Sequence, residues 1–165
     1  MNKRFTTRRI ALCGLLLSMM LILGWVEKQI ALPSGIKLGL RNSVLLFAVY
    51  MLDLPTAVVL MILKVTLTNL LFGNFGSTFM MGFAGGTLSL AAMILISRLK
   101  GIHPVVVSIV GGVMHNVGQV IMGMIIGVPA VVAMLPYLMV SGAFFGALTG
   151  VCATRVMKYM KHMRL

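Results

Sequence analysis

Polar side chains interrupt two of the apolar segments of this sequence. His115, Asn116 and Gln119 lie in one of these segments, and Lys64 and Asn69 lie in another. In a helix, the i, i+4 spacing places His115 and Gln119 on one face. Such side chains can bind a polar ligand or hydrogen-bond a neighbouring helix, and a lysine can extend toward lipid headgroups instead. The five residues are therefore candidates for a substrate site, with these structural roles as alternatives.

The composition indicates that helices in a membrane position these side chains. Of the 165 residues, 60% are hydrophobic and 10% are charged, whereas a soluble domain carries about 25% charged residues. Inside a bilayer every backbone N–H and C=O must bond within the protein, which favours helices. Segments such as residues 58–63 lack the alternation of polar and apolar residues of a β-barrel strand. The sequence therefore predicts an all-α membrane protein.

Turn-forming residues divide the chain into a compact bundle of about six transmembrane helices. The predicted helices are residues 9–30, 42–52, 56–72, 79–99, 105–126 and 130–157, of which the second is short and the last bends near Pro136. These helices leave no room for a soluble domain. We therefore expect residues 1–165 to form a single integral membrane domain, with short basic tails at about 1–8 and 158–165.

The charge distribution predicts the orientation in the membrane. The 14 Lys and Arg residues against two Asp and Glu residues give a net charge of +12, which in a soluble protein suggests a nucleic acid partner. Here the basic residues gather at helix ends and suit anionic lipid headgroups, so we expect lipid and no nucleic acid. Ten of the 14 lie on the side of the membrane that holds both chain ends, and Lys28, Lys37 and Arg41 lie on the other side. The remaining one, Lys64, lies within a predicted helix. Because cytoplasmic loops carry more Lys and Arg, both termini are predicted in the cytoplasm.

Small residues recur at helical spacing in two of the predicted helices. Gly142, Gly146 and Gly150 follow one another at every fourth position. In the first helix, Ala11, Gly14 and Ser18 form a similar series. Small residues let helices approach closely in lipid, where packing drives association. The two series are interpreted as contacts within the chain or as docking surfaces for a separate membrane subunit.

Four sequence elements together resemble one known family. They are KLGLRN at residues 37–42, LLFG at 70–73, AGGTLSL at 84–90 and MHNVGQ at 114–119. These elements are similar to the Gx transporter family, which also bears the name heptaprenyl diphosphate synthase component I. That family resembles the substrate-binding S components of energy-coupling factor transporters. Those are six-helix proteins of the cell membrane that capture a vitamin or related nutrient outside and dock on a coupling module with two ATPases.

The resemblance implies a partner, a substrate site and a substrate class. It implies that Ala11, Gly14 and Ser18 dock on the transmembrane coupling protein, and that a polar cavity opens outward beneath the loop that follows the first helix. The candidate substrate-binding residues are Arg41, Asn42, Lys64, Asn69, His115, Asn116 and Gln119. Their excess of positive charge favours an anionic or neutral nutrient, and the family name suggests an isoprenoid or quinone precursor.

The second family name implies a different role, association with a prenyl diphosphate synthase. Such synthesis requires acidic clusters that hold Mg²⁺, but the two acids, Glu27 and Asp53, are predicted at opposite membrane faces. The sequence also contains no Gly-x-x-x-x-Gly-Lys-Ser/Thr loop for ATP. We therefore expect no catalytic residue, metal site or cofactor. A non-catalytic synthase subunit remains the alternative, and a self-sufficient channel or exporter is a third possibility.

Overall fold

The computed structural model describes residues 7–29, 42–72 and 75–162, and every regular element among them is an α-helix. The helices are α1 (Thr7–Gln29), α2 (Asn42–Met51), α3 (Leu54–Phe72), α4 (Ser77–Ser97), α5 (Pro104–Ile125), α6 (Ala130–Ala133) and α7 (Leu135–His162). The first five lie within two residues of their predicted bounds where both ends are described. The predicted all-α membrane bundle is confirmed.

Five of the described helices, α1, α3, α4, α5 and α7, are long and apolar enough to cross a membrane. The chain is therefore a multi-pass membrane protein. The difference from about six predicted spans lies in α2, which has ten residues. At 1.5 Å per residue α2 extends about 15 Å, half of a hydrocarbon core of about 30 Å.

The short helix α2 occupies the centre of the bundle and contacts α1, α3, α4, α5 and α7. Residues 44–48 are all buried, and Leu45, Leu46 and Ala48 have no exposed surface. A helix that is apolar all round needs such enclosure. Because two residues separate α2 from α3 and α2 extends only about 15 Å, its first residue, Asn42, lies within about 15 Å of the α2–α3 turn.

An ion pair joins the start of α1 to the turn that precedes α3. Arg9 Nη2 lies 3.0 Å from Asp53 Oδ1, so the start of α1 and the α2–α3 turn share one face, which we call the inner face. A hydrogen bond from its own backbone amide, supported by Thr56 and Arg9, holds the pKa of Asp53 below its usual range. Thr56 Oγ1 donates to Asp53 Oδ1 at 3.2 Å. The end of α1 therefore lies at the opposite, outer face, whereas α2 ends at the inner face.

The predicted sixth helix is two helices, and this corrects the expectation of one helix bent near Pro136. The break lies at Met134, between α6 and α7. Pro136 stands in the first turn of α7, where its missing N–H leaves no helical hydrogen bond unmade. The chain therefore stops and restarts a helix at the outer face instead of bending within the membrane.

Helices α4, α5 and α7 approach one another through glycine. The Gly142, Gly146 and Gly150 series lies on the buried face of α7, against α5. A Cβ at Gly146 would lie 2.8 Å from the Cα of Ile109. On the other side of α5, a Cβ at Gly118 would lie 2.9 Å from the carbonyl oxygen of Ala84. At these two positions backbone lies against backbone, which only glycine permits.

A C-terminal fusion tests the orientation that the charge asymmetry predicts. Because α1 begins and α7 ends at the inner face, we expect a fluorescent protein fused after Leu165 to fluoresce and an alkaline phosphatase there to be inactive. As a control, phosphatase fused after Gly127, between α5 and α6, should be active. Active phosphatase at the C-terminus would show that the inner face is not cytoplasmic.

Candidate functional site

Helices α3, α4 and α5 carry eight buried polar side chains among the described residues, and six of them are grouped here, apart from Thr68 and Ser108. The six are Lys64, Asn69, Ser89, His115, Asn116 and Gln119, and none is more than 4% exposed. We call these six residues the polar layer. Polar side chains enclosed by membrane-spanning helices are costly, so their concentration identifies this region as the candidate site.

Two adjacent glycines of α4 lie beside the polar layer, one facing α5 and the other facing α3. A Cβ at Gly85 would lie 3.0 Å from both the His115 and the Gln119 side chains of α5. A Cβ at Gly86 would lie 3.1 Å from the Met61 side chain of α3. Since Lys64 follows Met61 by one turn on α3, it lies near the level of His115. The absence of side chains at the two glycines therefore brings α3 and α5 toward the same part of α4.

Two amides of the polar layer donate hydrogen bonds within the protein. Asn116 Nδ2 donates to the carbonyl oxygen of Leu138 at 2.6 Å and so joins α5 to α7. Gly142 leaves room for this contact, because a Cβ there would lie 2.8 Å from Asn116 Nδ2. Asn69 Nδ2 donates to the carbonyl oxygen of Val65 in its own helix at 2.7 Å. Asn116 therefore contributes to helix association, whatever else it binds.

Four other atoms of the layer have no hydrogen-bond partner among the described residues. They are Asn69 Oδ1, Ser89 Oγ, Asn116 Oδ1 and Gln119 Nε2. Leaving a buried donor or acceptor unsatisfied costs about 1–3 kcal/mol, and a bilayer supplies no water to reduce that cost. The layer thus offers two amide oxygens, a hydroxyl and an amide nitrogen to a further polar group.

Of the other predicted binding residues, the structure describes the side chain of Lys64 but not those of Asn42 and Arg41. Lys64 is 2% exposed, so its side chain lies inside the bundle and does not extend to the lipid surface. Asn42 is the first residue of α2, but its side chain is not among those the structure describes. Arg41 and the predicted lid, the loop after the first helix, lie outside the described residues.

Ser89 and Glu27 are buried polar residues that were not predicted as site residues from the sequence. Ser89 is fully buried and follows Gly85 by one turn on the face of α4 that meets α5. Glu27 is 5% exposed near the outer end of α1. It lies 18 residues from Arg9, about 27 Å along the helix, and Asp53 pairs with Arg9. The two acids therefore stand at opposite ends of the bundle.

The predicted docking residues lie on an exposed face of α1. Ala11, Gly14 and Ser18 are all exposed, and a Cβ at Gly14 would meet nothing within 4 Å. Ser18 Oγ donates to the carbonyl oxygen of Gly14 at 2.9 Å, so its hydroxyl group is satisfied within α1. The described part of the chain leaves this face of α1, which we call the small-residue face, uncovered.

Comparison with known proteins identifies the family. The model of a family described as heptaprenyl diphosphate synthase component I matches residues 16–156. The chain belongs to this family. No curated protein and no solved structure gives a significant match. In this component I protein, the matched region includes the whole polar layer, whereas Ala11 and Gly14 of the small-residue face precede it.

Proposed function

We propose that this component I protein is the substrate-binding membrane subunit of an importer of the energy-coupling factor type. The polar layer binds a small molecule from outside, and the small-residue face docks on a transmembrane coupling protein with ATPase subunits. One observation carries the proposal. Four polar atoms are buried in the layer without a partner in the described protein, in a medium where such atoms are costly.

The chemistry of the layer favours a small substrate that both donates and accepts hydrogen bonds. Asn69 Oδ1 and Asn116 Oδ1 accept hydrogen bonds, and Gln119 Nε2 donates them. Lys64 places an amino group in the buried layer, and in its protonated form this group favours an anionic or neutral molecule over a cation. A nutrient of that kind, or an isoprenoid or quinone precursor, is the substrate class we propose.

The position of α2 supports an anionic group in the substrate. The N-terminal end of a helix carries a partial positive charge from its unsatisfied N–H groups. Asn42, the first residue of α2, lies within about 15 Å of the α2–α3 turn, so α2 starts inside the bundle, as the interrupted helices of transporters that contact anionic substrate groups do. A carboxylate or phosphate bound there is stabilised by that end of α2.

The second candidate function is that of a non-catalytic membrane subunit of a heptaprenyl diphosphate synthase, and the family name favours it. That function requires a cytoplasmic surface for a soluble partner. The described inner loops are short, residues 52–53 and 98–103, and offer little such surface. Purification of the full chain from its own membranes tests the choice. A co-purifying coupling protein with ATPases would support the importer, and a co-purifying soluble synthase subunit would support the second candidate.

Replacing Gln119 with leucine tests the polar layer as a binding site. Because Gln119 Nε2 has no partner among the described residues, we expect little loss of thermal stability but binding weakened about tenfold or more. The ligand is first identified by mass spectrometry of small molecules that co-purify in mild detergent, and its binding is then titrated. Asn116→Leu should lose binding and also stability, because it removes the bond to Leu138.

Thr87→Val is the matched control, because Thr87 is an exposed residue of α4 whose hydroxyl group bonds only within its helix in the described structure. It should change neither binding nor stability. If Gln119→Leu bound the ligand as tightly as the wild type does, the polar layer would be excluded as the binding site. A lower melting temperature with unchanged binding would assign Gln119 to helix association alone.

A further inference from the structure

A groove of about 720 Å³ lies at the inner face, between the start of α5 and the last turns of α7. Its walls include His103, Val105, Val151, Arg155, Lys158 and Tyr159. We call it the inner groove. None of its residues belongs to the polar layer, and it lies at the end of the bundle where α7 leaves the membrane. It is therefore a separate site from the one proposed for the transported substrate.

Uncompensated positive charge lines the inner groove. Arg155 and Lys158 are exposed and stand three residues apart on α7, so their side chains are neighbours. The chain has two acidic residues in all. Asp53 is bound to Arg9, and Glu27 lies near the outer end of α1. No acidic side chain of this chain is therefore placed to neutralise the groove.

The remaining polar groups of the groove add hydrogen-bond donors. His103 precedes α5, and its Nδ1 accepts a bond from the backbone N–H of Val105 at 3.3 Å. In the neutral ring this assigns the proton to Nε2, which is a donor. Tyr159 is 70% exposed, so its hydroxyl group is accessible as a further donor. The positive end of the α5 dipole points to the same place. Together these groups suit a multiply charged anion.

The apolar wall indicates that this anion is the head of a membrane amphiphile. Val105 and Val151 line the groove on its membrane side. One turn further into the bundle, Leu148 of α7 is 51% exposed, and on α5 the neighbour of Val105, Val106, is 45% exposed. The groove therefore adjoins exposed apolar side chains of both helices. An amphiphile places its charged head against Arg155 and Lys158 and its chains along these apolar side chains.

We propose that the inner groove is a specific binding site for the phosphate headgroup of an anionic phospholipid of the cytoplasmic leaflet. Its volume lies within the range of about 300–1,000 Å³ that is typical of ligand sites, while the acyl chains remain in the bilayer. Basic pockets between helices at this face are general sites for anionic headgroups. The bound lipid fixes the depth of the α7 end relative to the membrane.

Native mass spectrometry of the full chain in mild detergent tests this proposal. Added phosphatidylglycerol should bind as a discrete adduct, and phosphatidylcholine should not. The double variant Arg155→Gln with Lys158→Gln should bind phosphatidylglycerol about 30-fold more weakly, since each basic residue near an anionic surface contributes about 1 kcal/mol. The control variant Arg98→Gln with Lys100→Gln removes the same charge from the same face outside the groove, and should change affinity less than about twofold.

Three results would overturn the proposal. Equal weakening by both double variants would show that the attraction is diffuse. Equal binding of phosphatidylcholine would show that headgroup charge is irrelevant. Displacement of phosphatidylglycerol by inorganic diphosphate at millimolar concentration would show that the groove takes a soluble phosphate. Melting temperatures of both variants, measured alongside, should equal that of the wild type, because all four substituted side chains are exposed.

Discussion

Gly146→Leu is expected to prevent correct folding, whereas Gly123→Leu should yield a folded protein of lower stability. A Cβ at Gly146 would lie 2.8 Å from the Cα of Ile109 and from the carbonyl oxygen of Ser108. These are backbone atoms of α5, which can yield only if the two helices separate. Overpacking costs about 1–3 kcal/mol in cores that can adjust, and this contact allows no local adjustment.

The comparison variant meets side chains instead of backbone. A Cβ at Gly123 would lie 3.1 Å from a methyl group of Val131 and 3.5 Å from the end of Met81, and both can change rotamer. Yield of monodisperse protein and thermal unfolding in detergent measure the difference. Gly146→Ala introduces the same Cβ without the longer side chain, so it should also lower both the yield and the melting temperature, though less than the leucine. Equal yield and equal melting temperature of the two leucine variants would contradict a packing role for the Gly142, Gly146 and Gly150 series.

Gly14→Leu should fold normally but lose its coupling partner. A side chain at Gly14 meets nothing within 4 Å in the described chain, so stability should stay unchanged. If the small-residue face packs closely on another helix, a leucine there separates the two surfaces. We expect at least tenfold less coupling protein to co-purify, with substrate uptake reduced in proportion.

Cys152→Leu is the matched control for this experiment. Cys152 is a small, exposed residue of α7, so the substitution adds the same bulk to a different lipid-facing surface. It should leave the complex intact. Wild-type recovery of the coupling protein with Gly14→Leu would exclude the small-residue face as the docking surface. Equal loss with both variants would point to a general effect of added bulk.

Long helices could be predicted from the sequence because apolar length and turn residues determine them. The place of α2 could not, since the apolar residues 44–48 satisfy lipid and a protein interior equally well. The break at Met134 could not be predicted from the sequence either. A proline such as Pro136 inside an apolar run is compatible with a kinked helix and with the start of a new one.

The candidate site could also be predicted only in part from the sequence. The spacing of His115 and Gln119 indicates a shared face, and both side chains do lie against Gly85. Ser89 gave no such signal, because a serine in a helix commonly bonds a carbonyl of its own preceding turn. That its Oγ lacks a partner among the described residues depends on where α5 packs, and only three-dimensional contacts contain that information.

The glycine contacts of α4, α5 and α7 also determine where the bundle can deform. Between α5 and α7 backbone meets backbone near Gly146. Between α4 and α5 it does so near Gly118, but further along the same pair the Met93 side chain of α4 lies against Gly111 of α5. Between α3 and α4 the contact at Gly86 is made by Met61, whose flexible side chain can change rotamer. We therefore expect α5 and α7 to move together as one body. We expect sliding to cost least at the boundary between α3 and α4, which separates Lys64 and Asn69 from the members of the polar layer on α4 and α5.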